Sequence, residues 1–306
     1  LWSQLMTTDV QDTQGAPSFT TTAIGRRRKR TNTMMTVVVT SAFVVALIPL
    51  ISLLWTTLVN GLSFINWDFI TTDMVGIFGD MTEGGIRPAI LGTLQITAWA
   101  TLISVPIGLL TAVYLVEYGR GALARALTFF VDVMTGIPSI VAGLFAFAAF
   151  TMLFGPAYRA GIMGAVALSV LMIPVVVRST EEMLKLVPNE LREAAYALGV
   201  PKYLTIIKVV LRTALGGIVT GVVLSIARVI GETAPLLLTV GLVTQVNTNM
   251  FEGRVATLPV FAYRQYQQGG VGMDRAWAAA LVLIVLIMIF NLIARAISKK
   301  FSIAAK

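Results

Sequence analysis

Six apolar runs, at roughly 34–59, 89–116, 128–154, 161–177, 213–243 and 276–294, limit what this chain can fold into more than any other feature. Each is long enough, or nearly so, to cross a hydrocarbon layer about 30 Å thick as a helix, which takes roughly 20 residues. A soluble domain has no core in which to hide all six. With 57% hydrophobic and 12% charged residues and a mean hydropathy of +0.84, the chain lacks the polar surface to meet water on every side, so lipid must cover it. Helices suit that solvent because each satisfies its own backbone donors and acceptors. The expected fold class is all-α, a six-span polytopic membrane protein in the lipid bilayer.

A formal net charge of +8 would suit a nucleic-acid partner if the basic residues formed one patch, but they lie mostly between the apolar runs. No nucleic-acid partner is therefore expected. Sixteen of the Lys and Arg residues fall in 26–30, 120–125, 185–212 and from Arg295 onward, whereas the opposite loops hold five: Arg87, Arg159, Arg254, Arg264 and Arg275. By the positive-inside rule both termini and the 181–212 loop face the cytoplasm. The run from Met34 to Val59 is too long for the core of a signal peptide and is read as an uncleaved first span. A flexible, basic N-terminal tail over 1–30, a transmembrane domain over 31–300 with its cytoplasmic loop at 180–212, and a short tail at 301–306 complete the expected layout. The outer segments 60–88 and 244–275 carry Trp67, Phe69, Tyr263 and Tyr266, which suit an interfacial belt or a re-entrant piece. Gly217 and Gly221 have the spacing that lets two membrane helices approach closely. Pro106, Pro138, Pro174 and Pro235 are expected to bend spans.

The chain has neither Cys nor His, which removes disulfides, thiolate metal sites and the usual neutral-pH proton carrier. No catalytic residue, metal site or bound cofactor is expected, and no Gly-rich phosphate cradle of the ATPase type is present. The chain is thus read as a non-catalytic subunit.

The loop from Thr180 to Lys208 is amphipathic and helix-prone. Pro188 and Asn189 open the run Glu190, Leu191, Arg192, Glu193, Ala194, Ala195, Tyr196, Ala197, Leu198, and Gly199 closes it, so the start and stop signals predict a helix over 189–198. A short helix between spans has no core to bury Leu191, Ala195 and Leu198, which leaves two covers for that face: a partner protein or the lipid surface. Glu193, Ala194 and Ala195, three residues, Gly199, nine residues, and Val209, Val210, Leu211 resemble the EAA loop of importer-type ABC permeases, although Arg212 stands where that pattern has Pro. The resemblance implies a coupling helix that docks in a groove of an ATPase through Glu190, Leu191, Glu193, Ala194, Ala195, Leu198 and Gly199.

Two charges fall inside the fifth run. Arg228 lies sixteen residues beyond Arg212, about 24 Å at ~1.5 Å per residue, and Glu232 lies four residues further on the same face of a continuous helix. A guanidinium at that depth costs at least ~2.5 kcal/mol on insertion scales. Two readings account for it: the pair neutralise each other within one helix, or the Arg faces an aqueous path and binds an anion. Arg178 closes the fourth run, where an Arg is also expected from the charge rule alone. Guanidinium offers an oxyanion a planar fork of donors that keeps its charge at every relevant pH. Glu117 and Asp132 flank the loop between the second and third runs and read as interfacial caps.

The segments V-V-V-R-S-T-E-E-M-L-K-L-V-P, A-R-V-I-G-E-T-A-P-L-L and M-T-G-I-P-S-I-V-A-G-L-F resemble the PstA-type permeases of the phosphate-specific ABC transporter, over roughly residues 60 to 305. That resemblance implies the type I importer permease fold in a bacterial inner membrane, with Arg178, Arg228 and Glu232 on the phosphate pathway. It also implies four kinds of partner: a second permease subunit of PstC type, an ATPase dimer of PstB type that holds ATP and Mg, an extracytoplasmic phosphate-binding protein of PstS type, and the bilayer. A permease for sulfate or molybdate is the alternative within the class, and an ATP-independent anion channel or carrier the alternative outside it.

Overall fold

In the computed structural model, which describes residues 23–77 and 81–303, the apolar runs are helices. The chain divides at Trp55 and Thr56 into two compact units. The first consists, as far as it is described, of most of α1 (Ala23–Phe64), a 42-residue helix about 63 Å long at ~1.5 Å per residue. Its basic start takes in Arg27 to Arg30, so part of the expected flexible tail is helical; Arg and Lys are good helix formers and extend the span outward. Residues 1–22 of that tail, and 304–306 of the C-terminal one, lie outside the described residues. Along α1 the apolar side chains from Met34 to Leu54, apart from the half-buried Leu47, are exposed, a surface that suits lipid or protein and not water.

The second unit contains α2 (Trp67–Thr71), α3 (Arg87–Val113, ending in a π-turn over Tyr114–Tyr118), α4 (Gly121–Gly136), α5 (Ser139–Phe154) and α6 (Gly161–Lys185). Beyond it come α7 (Asn189–Ala197), α8 (Lys202–Thr205), a π-turn over Ile206–Val210, α9 (Leu211–Ile230), α10 (Ala234–Thr239), α11 (Leu258–Gln268) and α12 (Val271–Ile303). Among the described residues five helices are long and apolar enough to cross a membrane, or six if α4 and α5 together make one span.

α6 is the most enclosed of the spanning helices, packed against α3 on one side and α9 on another. Ala165, Leu168, Met172 and Val176 of α6 are fully buried with Ile96 and Ala100 of α3 and Val229 of α9. In lipid such contacts are driven by close packing, which small residues permit. Gly217 and Gly221 serve this purpose: a Cβ on Gly217 would lie 2.1 Å from Sδ of Met183, and one on Gly221 2.5 Å from Oγ of Ser179. These two contacts also fix α6 and α9 as antiparallel neighbours in a defined register. A second cluster joins Phe69 of α2 to Leu258 and Phe261 of α11 and Ala278 of α12. Phe69 is thus core, while Trp67, Tyr263 and Tyr266 are exposed.

Two expected continuous spans are broken. The run 128–154 turns by 110° between α4 and α5, with Pro138 at the break. Proline removes a donor and disfavours helical geometry in the residue before it, here Ile137, whose backbone is extended. The run 213–243 stops at Ile230 and resumes as the six-residue α10 at Ala234. Gly231 and Pro235, at its first turn, supply the interruption, and uninterrupted hydropathy conceals it. Pro106 and Pro174 sit instead within helices that continue past them.

Candidate functional site

The chain leaves α6 at Lys185 and turns at Leu186 and Val187 into α7, within one residue of the expected limits. Pro188 caps the start with φ −57°. At the end Gly199 adopts φ +73°, its N–H bonds Tyr196 O at 2.9 Å, and Val200 N–H reaches Ala195 O at 3.1 Å. This is the double bond pattern of a glycine-closed helix end, and only glycine takes that backbone conformation without strain.

Burial sorts the residues of α7 into two faces. Glu190, Leu191, Glu193, Ala194, Leu198 and Gly199 are exposed, with Leu198 at 84% and Leu191 at 40%. Ala195 is buried at 7%, so it does not belong to the outward apolar face that the sequence assigned to it. Leu191, Ala194 and Leu198, at helical spacing, form that face instead, flanked by Glu190 and Glu193.

The inward face carries a residue that sequence reasoning missed. Nε and Nη2 of Arg192 both donate to Oε1 of Glu117, at 3.0 and 2.8 Å. Its Nη1 donates to Val187 O at 2.7 Å and its Nη2 to Leu184 O at 3.0 Å, which ties the guanidinium to the carbonyls where α6 ends. The pair is largely enclosed, with 13% and 6% of the two side chains exposed. Lys202, just past α7, donates from Nζ to Glu117 O and sits 4.5 Å from the centroid of the Tyr118 ring. Glu117 is therefore the anchor that fastens α7 to the end of α3, and not an interfacial cap. The sequence carried one clue, since Arg192 and Ala195 are three residues apart and so share a helix face.

Arg178 makes an ion pair with Asp132 of α4 and another, at 2.9 Å, with Glu181 one turn further along α6. Glu181 also accepts from Nζ of Lys185 at 2.7 Å. Arg178 is thus a clip between α4 and α6, and Asp132 is its partner across the gap.

Arg228 is treated differently. It sits in the last turn of α9, exposed, on the same face as Leu224, which is 58% exposed. The field of the α9 C-terminus favours a cation there. Because α9 ends at Ile230, Glu232 lies off the helix; its backbone N–H closes a turn onto Val229 O at 3.2 Å. Among the described residues no ion pair joins Glu232 to Arg228, and the intrahelical neutral pair is excluded in this structure. The register set by Gly217 and Gly221 places Arg228 level with about Met172, so Arg178 and Arg228 stand roughly 9 Å apart along the helix axis. The structure does not bring the two arginines together at one level. Among the described residues no cluster of three acidic side chains is poised to hold a metal ion.

Residues 104–303 match the family of binding-protein-dependent transport system inner membrane components. The chain is 46% identical over 270 residues to the phosphate transport system permease protein PstA 1 of Mycobacterium tuberculosis, covering 88% of both chains. It is 38% identical over 262 residues to the phosphate transport system permease protein PstA of Yersinia pestis, covering 80% of this chain and 87% of that one. Among solved structures, that of a bacterial alginate ABC transporter aligns with a TM-score of 0.61 at 15% identity, over 90% of this chain and 96% of that one. The inward-facing MetNI methionine ABC transporter aligns with a TM-score of 0.55 at 20% identity, over 71% and 94%. Both likenesses concern the fold alone. The interrupted span, the glycine-closed helix of the loop and the extent of these matches lead to one conclusion: the chain belongs to the PstA-type permeases, inner-membrane components of binding-protein-dependent transport.

Proposed function

We propose that this chain is one of two transmembrane halves of an ATP-driven phosphate importer. The observation that carries the proposal is Arg228, a guanidinium far along the membrane-crossing helix α9, exposed and without an ion-pair partner among the described residues. A permanent cation so placed is costly in lipid and favourable in a path that anions use. The second permease subunit is assigned to the face of α9 that carries Arg228, so that phosphate passes between the two halves. The names of the similar proteins from Mycobacterium tuberculosis and Yersinia pestis, both phosphate transport system permeases, support phosphate as the cargo.

In this reading Arg228 binds phosphate oxygens through its fork, and Glu232, held just beyond the helix end, tempers the local field. Conduction needs binding tight enough to admit the ion and loose enough to release it, which a nearby carboxylate provides. Arg178, already held by Asp132 and Glu181, takes part as a hinge of the pathway wall. The outward face of α7 receives a separate ATPase dimer, on which ATP and Mg reside, so α7 and the termini lie on the cytoplasmic side. Movement of α7 reaches α3 through Arg192 and Glu117. A phosphate-binding protein outside the membrane delivers the ion.

The test is uptake of radiolabelled phosphate by the complete complex in proteoliposomes. Arg228→Gln is expected to reduce ATP-dependent uptake to background while the ATPase still co-purifies, and Arg228→Lys, which keeps the charge and loses the fork, to fall well short of wild type. Normal uptake by Arg228→Gln overturns the proposal.

A further inference from the structure

Each of the five arginines that the charge rule sets opposite α7 has a traceable fate. Arg87 pairs with Asp73 at 2.9 Å. Arg275, 1% exposed, donates to Gln265, to the carbonyl of Met81 and to that of Glu83. The remaining three, Arg159, Arg254 and Arg264, line a single cavity of about 470 Å³ together with Gln267 and Gln268, floored by Leu237 and Leu238 of α10. Among the described residues no Asp or Glu lines it, and none of the three arginines has an ion-pair partner.

The chain builds this convergence deliberately. Ala160 and Gly253 form an isolated parallel bridge, which brings together the two segments that carry Arg159 and Arg254. Ile162 N–H to Met250 O at 2.8 Å and Tyr158 Oη–H to Phe251 O at 2.7 Å hold the same two segments together. Asn247 donates to Arg254 O at 3.1 Å and pins the loop that presents Arg254, whose stem passes over Gly241. Arg159 is fixed by its bonds to Pro156 O and Tyr158 O and by the Phe147 ring 4.6 Å away. Arg264 enters from a third segment, α11.

Three like charges brought into one recess repel one another, and among the described residues no carboxylate lines the recess to offset them. Five-donor guanidinium forks plus two carboxamides are the recognition set for a tetrahedral oxyanion. Arg159 stands two residues before α6 and α7 follows its end, so the recess lies about 37 Å from the coupling loop, the length of a 25-residue helix. Its floor, α10, is the segment that continues from the break beside Arg228 and Glu232. We propose that this recess is a capture site for inorganic phosphate at the end of the pathway opposite the ATPase, upstream of Arg228. The inference rests on the phosphate-importer reading above.

It is tested by equilibrium binding of radiolabelled inorganic phosphate to the complete membrane complex in nanodiscs, without the binding protein. Arg264→Gln, on an exposed helix position, is expected to weaken binding about tenfold, the loss of one charge-assisted contact. Arg254→Gln with Arg264→Gln should weaken it further, Arg264→Lys should fall between, and sulfate should compete. Unchanged phosphate affinity in the double variant overturns the proposal. So does a loss confined to docking of the binding protein, which would make the recess a contact for protein carboxylates. Uptake in proteoliposomes keeps the two readings apart: a wild-type complex that imports no phosphate defeats the importer reading, whereas import that needs Arg228 but ignores the recess defeats only this one.

Discussion

At the α7 end of the bundle the two half-buried arginines, Arg178 and Arg192, are matched to carboxylates; at the far end, most arginines are not. Arg192 has Glu117, and Arg178 has Asp132 and Glu181, each pair spanning two elements or stiffening one. Arg228 and the three arginines around the cavity have no such partner among the described residues. A matched arginine spends its donors on fastening helices, as Arg192 does on the end of α6. An unmatched one keeps its fork available to an ion that comes and goes. The division separates a mechanical end from an ion-handling end without any difference in residue type.

The sharpest way to break this comparison is to remove the most enclosed match. Glu117→Ala leaves the Arg192 side chain, only 13% exposed in the intact pair, with no counter-charge, a change that costs on the order of 3–5 kcal/mol when one partner of a buried pair is deleted. Unfolding of the purified chain in detergent should shift accordingly, and the ATPase should be lost on purification because α7 is no longer held. Pairing Glu117→Leu with Arg192→Met should recover part of the loss, since no unpaired charge remains. A Glu117→Ala chain as stable as wild type would mean that the pair fastens nothing.

The next effect is smaller and leaves the fold alone. Leu198 is 84% exposed, so Leu198→Asp is expected to change stability by no more than ~0.5 kcal/mol. If its face docks in a groove, the same change should cost ~2 kcal/mol of ATPase binding, about thirtyfold in affinity. Titration of the ATPase onto the reconstituted permease measures this. Ala194→Asp should act alike, and equal affinity in both variants would return α7 to the lipid surface.

Local signals explain what could be read from the chain itself. Pro188 and Gly199 fixed the limits of α7 because caps act over a few residues, and the spacing of Gly217 and Gly221 announced a close helix contact, though not that α6 would make it. The break after Ile230 was also encoded locally, in Gly231 and Pro235, but apolar residues on both sides hid it in a reading based on run length. The Arg192–Glu117 match joins residues 75 positions apart, and no periodicity reports such a pairing. The three-arginine cavity is harder still, because its arginines come from three segments distant in sequence. Ala195 was assigned to the wrong face because a methyl group is equally at home on either, and only the packing of α7 decides.

The weakest expected effect tests whether Arg178 belongs with the fasteners. Asp132 is 59% exposed and Arg178 34%, so solvent screens their attraction, and an exposed pair of this kind contributes ~1 kcal/mol or less. Arg178 also keeps Glu181, which is only 12% exposed and is shared with Lys185. Asp132→Asn should therefore alter thermal stability little and leave phosphate uptake within about twofold of wild type, a change near 0.4 kcal/mol in rate terms. Glu181→Gln, which releases two cations at once in a more enclosed place, should do more on both counts. If Asp132→Asn alone abolished uptake with stability unchanged, the contact between α4 and α6 would be a moving part of conduction, and Arg178 would pass from the mechanical end of the molecule to the ion-handling one.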